Sequence, residues 1–357
     1  MGVTEAVRAV EQRAGCGRSA AEERWIASIE RAGALDDWVD RFQRAGRLTL
    51  NFHPDRIARG GLTVAAGLAA EGTYRTQWMT GISAGSRSAI DGGERQRFER
   101  ELFDGAYDDA EPLSGDHPAY GSLDLLFDEH GGSPRFGSSY LVVASHVRPR
   151  TTLCVGDSHT GPRDVGTFDR PWGLLAGLGE QASRCELLNR DLGPDALLSA
   201  LDGSFRLGRA SRDLDGYIEV QVHGGVSLAN DVEAVVVDPS FCGTDVGRQL
   251  SGAATRFGFE LRWHSGSELA VDDVPADFRG PTMPSLARRV AGSDGIVHAR
   301  AIGVAAVHER FEEPTLSGDP PGSALQQLKY LWHTVVAHGR DATPRRLSGA
   351  GESAGRS

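Results

Sequence analysis

The chain has 357 residues, of which 39% are hydrophobic, and a formal net charge of −11 at pH 7. This length allows one large domain or two smaller ones with a substantial core. The acidity excludes nonspecific nucleic-acid binding as the main activity, although a local arginine pocket could still hold a small anion.

The first residues predict helices. In "SAAEERWIASIERAG" (19–33), Ser19 precedes Glu22 by three residues, which is the capping-box pattern, and Gly33 serves as a stop. A second short helix is expected in "DDWVDRFQRAG" (36–46). We therefore expect N-terminal helices over 1–45, a single catalytic-like domain over 46–340 and a disordered tail over 341–357.

The rest of the chain reads mainly as strands. Strand-like runs lie at 47–52, 120–127, 135–143, 151–157, 217–226, 232–238, 257–264 and 298–307. A small-residue helix ending at Gly72 follows the turn "HPDR", and the middle region 170–215 looks mostly helical. Because the strands do not alternate regularly with helices, the pattern predicts an α+β fold with a mainly antiparallel or mixed β core and irregular covering loops.

The region 74–118 is rich in glycine, serine and aspartate around one helical stretch, "ERQRFERELF". A long irregular region in a compact protein is more often a functional cover than a linker. Its first part, "YRTQWMTGISAGS" (74–86), combines hydroxyls with aromatics. This composition suits a loop that folds over a flat ligand, with Tyr74 and Gln77 as contacts, although an ordinary loop has a similar composition.

Lysine and cysteine usage excludes several kinds of chemistry. Lys329 is the only lysine, so no phosphate-binding loop of the GxxxxGK[ST] type exists. The four cysteines contain no CxxC pair, which argues against a structural zinc site or a disulfide framework. The charged N-terminus does not read as a signal peptide, and no window holds the roughly 18 apolar residues of a membrane helix. We expect a cytoplasmic protein with no metal and no membrane partner.

The stretch "YIEVQVHGGV" (217–226) places valines on one face of a strand. Its other face carries Tyr217, Glu219, Gln221 and His223. This face either lies in water or forms one wall of an active site. Strands are depleted in Glu and Gln, which favours the site hypothesis with Glu219, Gln221 and His223 as catalytic candidates.

Two other stretches offer ligand contacts. "LNFHPDR" ends a strand with His53, Asp55 and Arg56, where the arginine either grips phosphate or pairs with Asp55 to stabilise the turn. "GGSPRFGSSYLVV" presents Arg135, Ser138 and Ser139 at a strand start, where Gly137 permits close backbone approach. Its hydroxyls either hold a ligand or order a neighbouring strand.

The stretch "CVGDSHTGPRDVGT" (154–167) suggests a different chemistry. Asp157, Ser158 and His159 could serve a hydrolase with Ser158 as its nucleophile, but the serine lies mid-chain and no late DxxH motif accompanies it. Asp157 and His159 could also contact a metal together with His53 or His223, although two ligands at this spacing indicate a metal only weakly.

Many short motifs in order resemble a bacterial domain family of unknown function over roughly residues 40–340. They are "LNFHPDR", "YRTQWMTGIS", "ERELFDGAY", "YGSLDLLF", "GGSPRFGSSYLVV", "GDSHTGPRDVGT", "YIEVQVHGGVSLANDVEAVVVDPSF", "DFRGP" and "LKYLWH". This resemblance implies no particular activity.

A second resemblance implies a function. A strand-end arginine, a serine at a later strand start and a glutamate on a strand after that are similar to the ADP-ribosyltransferase superfamily of the arginine-serine-glutamate type. The resemblance implies NAD as substrate and transfer of ADP-ribose to a protein or small-molecule acceptor. Arg56 would hold the phosphates, with His53 able to take a ribose-binding role, Ser138 would support the nicotinamide ribose, and Glu219 would be catalytic.

The chain departs from that superfamily pattern at two places. Glu219 precedes Gln221, whereas the superfamily has Glu or Gln two residues before its catalytic glutamate, and "GSSY" stands where Ser-Thr-Ser is usual. The hydrolase based on Asp157, Ser158 and His159 remains an alternative. A binding module that grips a nucleotide or a protein without turnover is another.

Overall fold

The computed structural model describes residues 2–82, 89–111, 113–208, 212–311 and 323–342. The tail expected to be disordered lies outside the described residues from position 343 onward, as do positions 83–86 of the loop expected at 74–86.

The strands and helices follow in chain order. The strands are β1 (Arg47–Phe52), β2 (Thr73–Tyr74), β3 (Ala119–Asp124), β4 (Ser139–Val143), β5 (Thr151–Val155), β6 (Val165–Thr167), β7 (Ile218–Val222), β8 (Val226–Ser227), β9 (Val232–Val237), β10 (Glu260–Trp263), β11 (Glu268–Ala270) and β12 (Ile296–His298). The α-helices are α1 (Gly2–Cys16), α2 (Arg18–Ser28), α3 (Val39–Arg44), α4 (Val64–Glu71), α5 (Gln77–Thr80), α6 (Glu94–Phe103), α7 (Trp172–Ser183), α8 (Pro194–Leu201), α9 (Leu228–Asp231), α10 (Asp245–Phe257), α11 (Met283–Val290), α12 (Ala299–Phe311) and α13 (Ser323–His338). Short 3-10 helices lie at Glu30–Ala32, Leu35–Trp38, Pro134–Phe136, Ser145–Arg150, Ser158–Thr160, Leu187–Asn189, Pro239–Phe241 and Val271–Asp273.

Eight strands form the central sheet in the order β10-β9-β4-β1-β3-β7-β5-β6. Only β9 and β10 pair in parallel, and the other neighbours in this sheet are antiparallel. Two short antiparallel pairs, β2 with β8 and β11 with β12, lie outside it. The predicted α+β class with a mainly antiparallel, mixed sheet is confirmed.

The sheet has one apolar and one polar face, because residues paired across antiparallel strands share a face. Leu48, Leu123 and Val220 belong to the apolar face and are buried in the main core together with Trp25 of α2 and Leu174 of α7. The N-terminal helix α2 therefore supplies part of the layer that covers this face.

The opposite face carries a buried row of polar side chains. Ser122 of β3 lies opposite Thr49 of β1 and Glu219 of β7, and Glu219 lies opposite Cys154 of β5. Thr49 Oγ1 lies 3.0 Å from Ser122 Oγ, so neighbouring strands share their hydrogen bonds on this face. Polar groups hidden from water need such partners.

The described residues between 89 and 117, called here the cover segment, pack over part of this polar face. Glu99 of α6, which is 1% exposed, accepts hydrogen bonds from Tyr120 Oη on β3 at 2.9 Å and from Trp78 Nε1 of α5 at 3.2 Å. His117 Nδ1 lies 2.8 Å from the same carboxylate, and the His117 ring stacks on Trp78 with 4.2 Å between centroids. This buried cluster fastens the cover segment to the sheet.

The strand predicted at 298–307 is wrong, because α12 occupies this stretch. His298 Nδ1 accepts a hydrogen bond from the backbone N–H of Ala301 at 3.2 Å, which satisfies one of the free donors at the helix start. The buried Ala299, Ile302 and Ala306 recur at three- and four-residue spacing, which is helical periodicity. Helices α10, α11 and α13 also lie in the second half, so the expected dominance of β-structure there is wrong.

The capping box predicted at Ser19 is also wrong. Helix α2 begins at Arg18, and its preceding residue Gly17 has helical backbone angles without any side-chain cap. Helix α1 ends at Cys16, so the backbone enters α2 almost directly from a preceding helix. The helix ending at Gly72 is confirmed, since Gly72 caps α4 in the left-handed conformation at φ 68°.

Within the described ranges, no helix combines the length and apolarity that crossing a membrane requires.

Gly137 allows the turn before β4 to lie directly against β1. A Cβ at this position would come within 2.2 Å of the Phe52 backbone. We expect Gly137→Ala to lower the free energy of unfolding by about 3 kcal/mol, because backbone cannot yield to the methyl group as a flexible side chain would. Urea denaturation of both proteins measures the difference.

Gly252→Ala is the matched control. This glycine lies within α10 and has no atom within 4 Å of a built Cβ, so alanine should be neutral or stabilising by up to about 1 kcal/mol. Equal losses of stability in the two variants would show that the contact with Phe52 is not the cause.

Candidate active site

A cavity of about 430 Å³ lies between the sheet and the segments that follow β1 and β5. This volume falls within the range of small-molecule sites, roughly 300 to 1,000 Å³. Nine of the residues predicted to form a site line it, although they come from five separate stretches of the chain. They are His53, Arg56, Tyr74, Gln77, Arg135, Asp157, Ser158, His159 and Glu219.

Glu219 is the buried carboxyl of this cavity, with 6% of its surface exposed. Its Oε1 accepts a hydrogen bond from Gln221 Nε2 at 2.8 Å, and its Oε2 accepts one from the Ser158 backbone N–H at 3.4 Å. Burial, together with the nearby charge of Asp157, raises the pKa of Glu219 from its ordinary 4.5 to about 7. The alternative that this strand face lies in water is therefore wrong.

Gln221 and His223 share the strand face with Glu219, but they do not line the cavity. Both are fully buried. Burial, with the neighbouring charge of Arg150, lowers the pKa of His223 to about 3, so its imidazole is neutral at physiological pH. Neither of these two predicted catalytic residues therefore lines the cavity.

Ser138 and Ser139 also lie outside the cavity lining. The carbonyl of Ser138 accepts a hydrogen bond from His264 Nε2 at 2.8 Å, and Ser139 Oγ accepts one from the Asp238 backbone N–H at 3.3 Å. The glycine before them approaches Phe52 rather than a ligand space. These serines are thus buried around β4, and the ribose-wall position expected for Ser138 is not observed.

Arg56 lines the cavity, and its buried Nη1 has no hydrogen-bond partner among the described residues. Burial lowers the pKa of Arg56 and raises the pKa of Asp55 to about 6, while the attraction between the two charges partly opposes both shifts. Their interaction is therefore electrostatic, without a direct ion pair within the described ranges. Burial and the Arg56 charge also lower the pKa of His53 well below its usual value.

Buried polar atoms that find no hydrogen-bond partner among the described residues gather around this cavity. They are Arg56 Nη1, Thr76 Oγ1, Gln77 Oε1, Arg95 Nε, Arg135 Nε, Ser158 Oγ and His159 Nδ1. Folded proteins satisfy most of their buried polar groups, so a local cluster of open donors and acceptors indicates a place for a polar ligand or water.

Arg95 is a lining residue that the sequence did not indicate. It lies in a charge-rich helix that reads as a surface element, yet it is 8% exposed and its guanidinium lies 4.6 Å from the centre of the Tyr120 ring. Its positive charge partly opposes the raised pKa of Glu219. Only the packing of α6 on the sheet reveals this position.

The cluster at 157–159 forms a 3-10 turn after β5. Asp157 Oδ1 accepts a hydrogen bond from the His159 backbone N–H at 3.2 Å. It also lies 2.5 Å from His159 Nδ1, but without the geometry of a hydrogen bond. Ser158 Oγ is buried and contacts no base in the part of the chain that the structure describes. Among these described residues, no group of three or more His, Cys, Asp or Glu side chains could hold a metal ion.

The raised pKa of Glu219 predicts a pH-dependent stability. Between pH 4.5 and 7, folded Glu219 keeps a proton that the unfolded chain releases, so this carboxyl makes the protein less stable as the pH rises through that window. We expect Glu219→Gln to gain about 3 kcal/mol in unfolding free energy relative to wild type between pH 4 and pH 8. Denaturant titrations at both pH values measure this gain.

Glu186→Gln provides the matched control, because the Glu186 side chain is 62% exposed and is solvated in both states. Its difference from wild type should be the same at both pH values. A Glu219→Gln difference that is also constant with pH would mean that Glu219 ionises as it does in water.

Comparisons with known proteins place the chain in a family. The Gene 2 protein of Mycobacterium phage L5 is 28% identical over 166 residues, which cover 46% of this chain and 58% of the phage protein. The chain thus spans little more than half the length of that relative. A family profile described as "Protein of unknown function (DUF3626)" matches residues 47–338, which include the central sheet and all of the cavity-lining residues named above. The chain belongs to this DUF3626 family.

Proposed function

We propose that the protein is an NAD-dependent transferase that cleaves the nicotinamide–ribose bond and passes ADP-ribose to an acceptor. The observation that carries this proposal is that one cavity of small-molecule size is lined by a buried carboxyl, Glu219, and by Arg56, whose buried Nη1 has no hydrogen-bond partner among the described residues. The arrangement has the two features that the reaction needs, an anion near the reacting carbon and a cation for the phosphates.

The chemistry at Glu219 is charge stabilisation. When the bond from ribose C1′ to the nicotinamide nitrogen breaks, its electron pair leaves with neutral nicotinamide, and positive charge develops on the ribose. A carboxylate fixed beside that sugar lowers the energy of the oxocarbenium-like transition state, as in glycoside cleavage. Exclusion of water strengthens the interaction.

The cationic side of the cavity suits the pyrophosphate. Arg56, Arg135 and Lys329 all line it. Arginine offers a rigid fork for phosphate oxygens, and no acceptor in the described part of the chain competes for Arg56 Nη1. Tyr74 and Phe136 add aromatic surface for a flat ring. Binding far from the reacting carbon supplies energy that orients the ribose against Glu219.

The acceptor loses a proton when it bonds to C1′, and we assign His159, which lines the cavity, to take it. Asp157 Oδ1 lies 2.5 Å from His159 Nδ1. A base with a carboxylate beside it follows the general logic of activated nucleophiles. In this proposal the 157–159 turn serves the transfer step, and no hydrolytic serine is required.

Incubation with NAD labelled in nicotinamide tests the proposal. Wild type should release nicotinamide, and Glu219→Gln should slow release by roughly 10²- to 10³-fold, the usual effect of removing one transition-state charge contact. Ser158→Ala serves as the contrasting variant and should retain release. Loss of turnover in Ser158→Ala with Glu219→Gln unaffected would instead support the hydrolase. Tight NAD binding by wild type without product would support the binding module.

Arg56→Gln should raise the KM for NAD by about 10- to 100-fold, because a charge-assisted hydrogen bond contributes roughly 1.5–3 kcal/mol. Steady-state kinetics with both proteins gives this ratio. Arg184→Gln, which removes an exposed arginine paired with Glu186, should leave KM unchanged. An unchanged KM in Arg56→Gln would remove the phosphate role of Arg56.

A further inference from the structure

Four consecutive hydrogen bonds link the cover segment to Glu219, which lines the cavity. Tyr107 Oη lies 2.5 Å from His223 Nδ1, and His223 Nε2 lies 2.9 Å from Thr152 Oγ1. Thr152 Oγ1 lies 2.7 Å from Gln221 Oε1, and Gln221 Nε2 lies 2.8 Å from Glu219 Oε1. This hydrogen-bond chain thus runs from the cover segment to His223, then to Thr152 on β5, and ends at Gln221 and Glu219 on β7.

Its direction follows from the chemistry of its members when Glu219 is a carboxylate. An ionised carboxyl can only accept, so Gln221 presents its amide N–H to Glu219 and its oxygen to Thr152. A second N–H of the same amide points to Cys154 Sγ at 3.7 Å, which agrees with this orientation. Thr152 therefore donates its single hydroxyl proton to Gln221 Oε1.

The remaining two bonds are then determined. Because Thr152 has no further proton to give, it must accept from His223 Nε2–H. The buried His223 is neutral and carries one ring proton, so its Nδ1 must accept from the Tyr107 hydroxyl. Every donor in the chain points toward Glu219.

We propose that Tyr107, His223, Thr152 and Gln221 are positioning residues that hold Glu219 as an oriented carboxylate. The catalytic consequence rests on the proposed function, whereas the proton order does not. The chain opposes desolvation, since hydrogen bonds donated to a carboxylate favour its charged form and aligned hydrogen bonds polarise one another.

Other groups also face Glu219 and contribute to its electrostatic environment. They are Asp157 and Ser158 of the turn after β5, Arg95 of α6, Tyr120 of β3, Cys154 of β5 and Tyr217 beside β7. The substitutions chosen below leave all of them in place.

The proton on His223 is the direct test, measured by ¹⁵N NMR of the imidazoles in the full wild-type chain. The His223 signals are assigned as those that are lost in His223→Gln. At pH 9, above the range in which Glu219 titrates, the hydrogen-bond chain requires the His223 ring proton to be on Nε2. A proton on Nδ1 at this pH overturns the inference, whether or not the protein turns over NAD.

Thr152→Val tests the effect on catalysis. Without the Thr152 hydroxyl, the Gln221 amide loses its fixed orientation, so protonation of Glu219 becomes easier. If the acid limb of kcat/KM moves up by one pH unit, activity at pH 7 falls about fivefold and recovers at pH 9. A loss that is the same at both pH values contradicts the positioning role.

Thr151→Val is the matched control. Thr151 precedes Thr152 on β5, faces the other side of the sheet, is equally buried, and donates to the Val147 carbonyl at 3.1 Å. The Thr151→Val substitution should leave the acid limb of kcat/KM at its wild-type pH. An equal shift in the two variants overturns the inference.

Failure of the proposed function and failure of the positioning role can be told apart. If wild type releases no nicotinamide, the proposed function fails, and the position of the His223 proton still tests the hydrogen-bond chain. If wild type is active and Thr152→Val leaves the acid limb unmoved, only the positioning role of the hydrogen-bond chain fails.

Discussion

The burial of one carboxyl, Glu219, under a covered polar sheet face is the constraint on which this site depends. Water would solvate the carboxylate better than the protein does, so folding raises its pKa. The protein compensates with donors from Gln221 and the Ser158 backbone, and with the nearby charge of Arg95. The burial of Glu219 therefore lowers the stability of the protein, but it also keeps water from weakening the electrostatic interactions of the carboxylate. Such a loss of stability is common at functional sites.

The two-faced sheet explains how such a carboxyl can be held. Its apolar face is covered by helices and forms the main core, which leaves the polar face free to carry the site. The cover segment is fastened to this face at two points, through Glu99 to Tyr120 and through Tyr107 to His223. The residues that hold the cover segment on the sheet and those that surround Glu219 therefore belong to one buried polar network, in which each member needs its partners.

Much of this arrangement could be predicted from sequence. The alternation in 217–226 separated the valines from the polar face, and the glycine-rich texture of 74–118 indicated a cover. The helix α12 was missed because a short apolar run such as 298–307 fits either a strand or a helix, and the His298 cap becomes visible only in three dimensions.

The site shows the same division. Residue types at strand ends, in turns and on the polar face of β7 indicated nine cavity-lining positions. Which polar residues of one strand face reach a cavity could not be predicted in the same way. Gln221 and His223 have the parity of Glu219 but do not line the cavity, and Gly137 approaches backbone where a ligand was expected. Arg95 was hidden because local sequence does not show which face of a charged helix is buried.

A crystal structure of Glu219→Gln with unreacted NAD tests the central claim most directly, since this substitution keeps the shape of the site while slowing turnover. The account predicts the pyrophosphate against Arg56 Nη1 and the nicotinamide ribose beside residue 219. NAD seated outside this cavity, or seated in it with its nicotinamide ribose far from residue 219, would contradict the account.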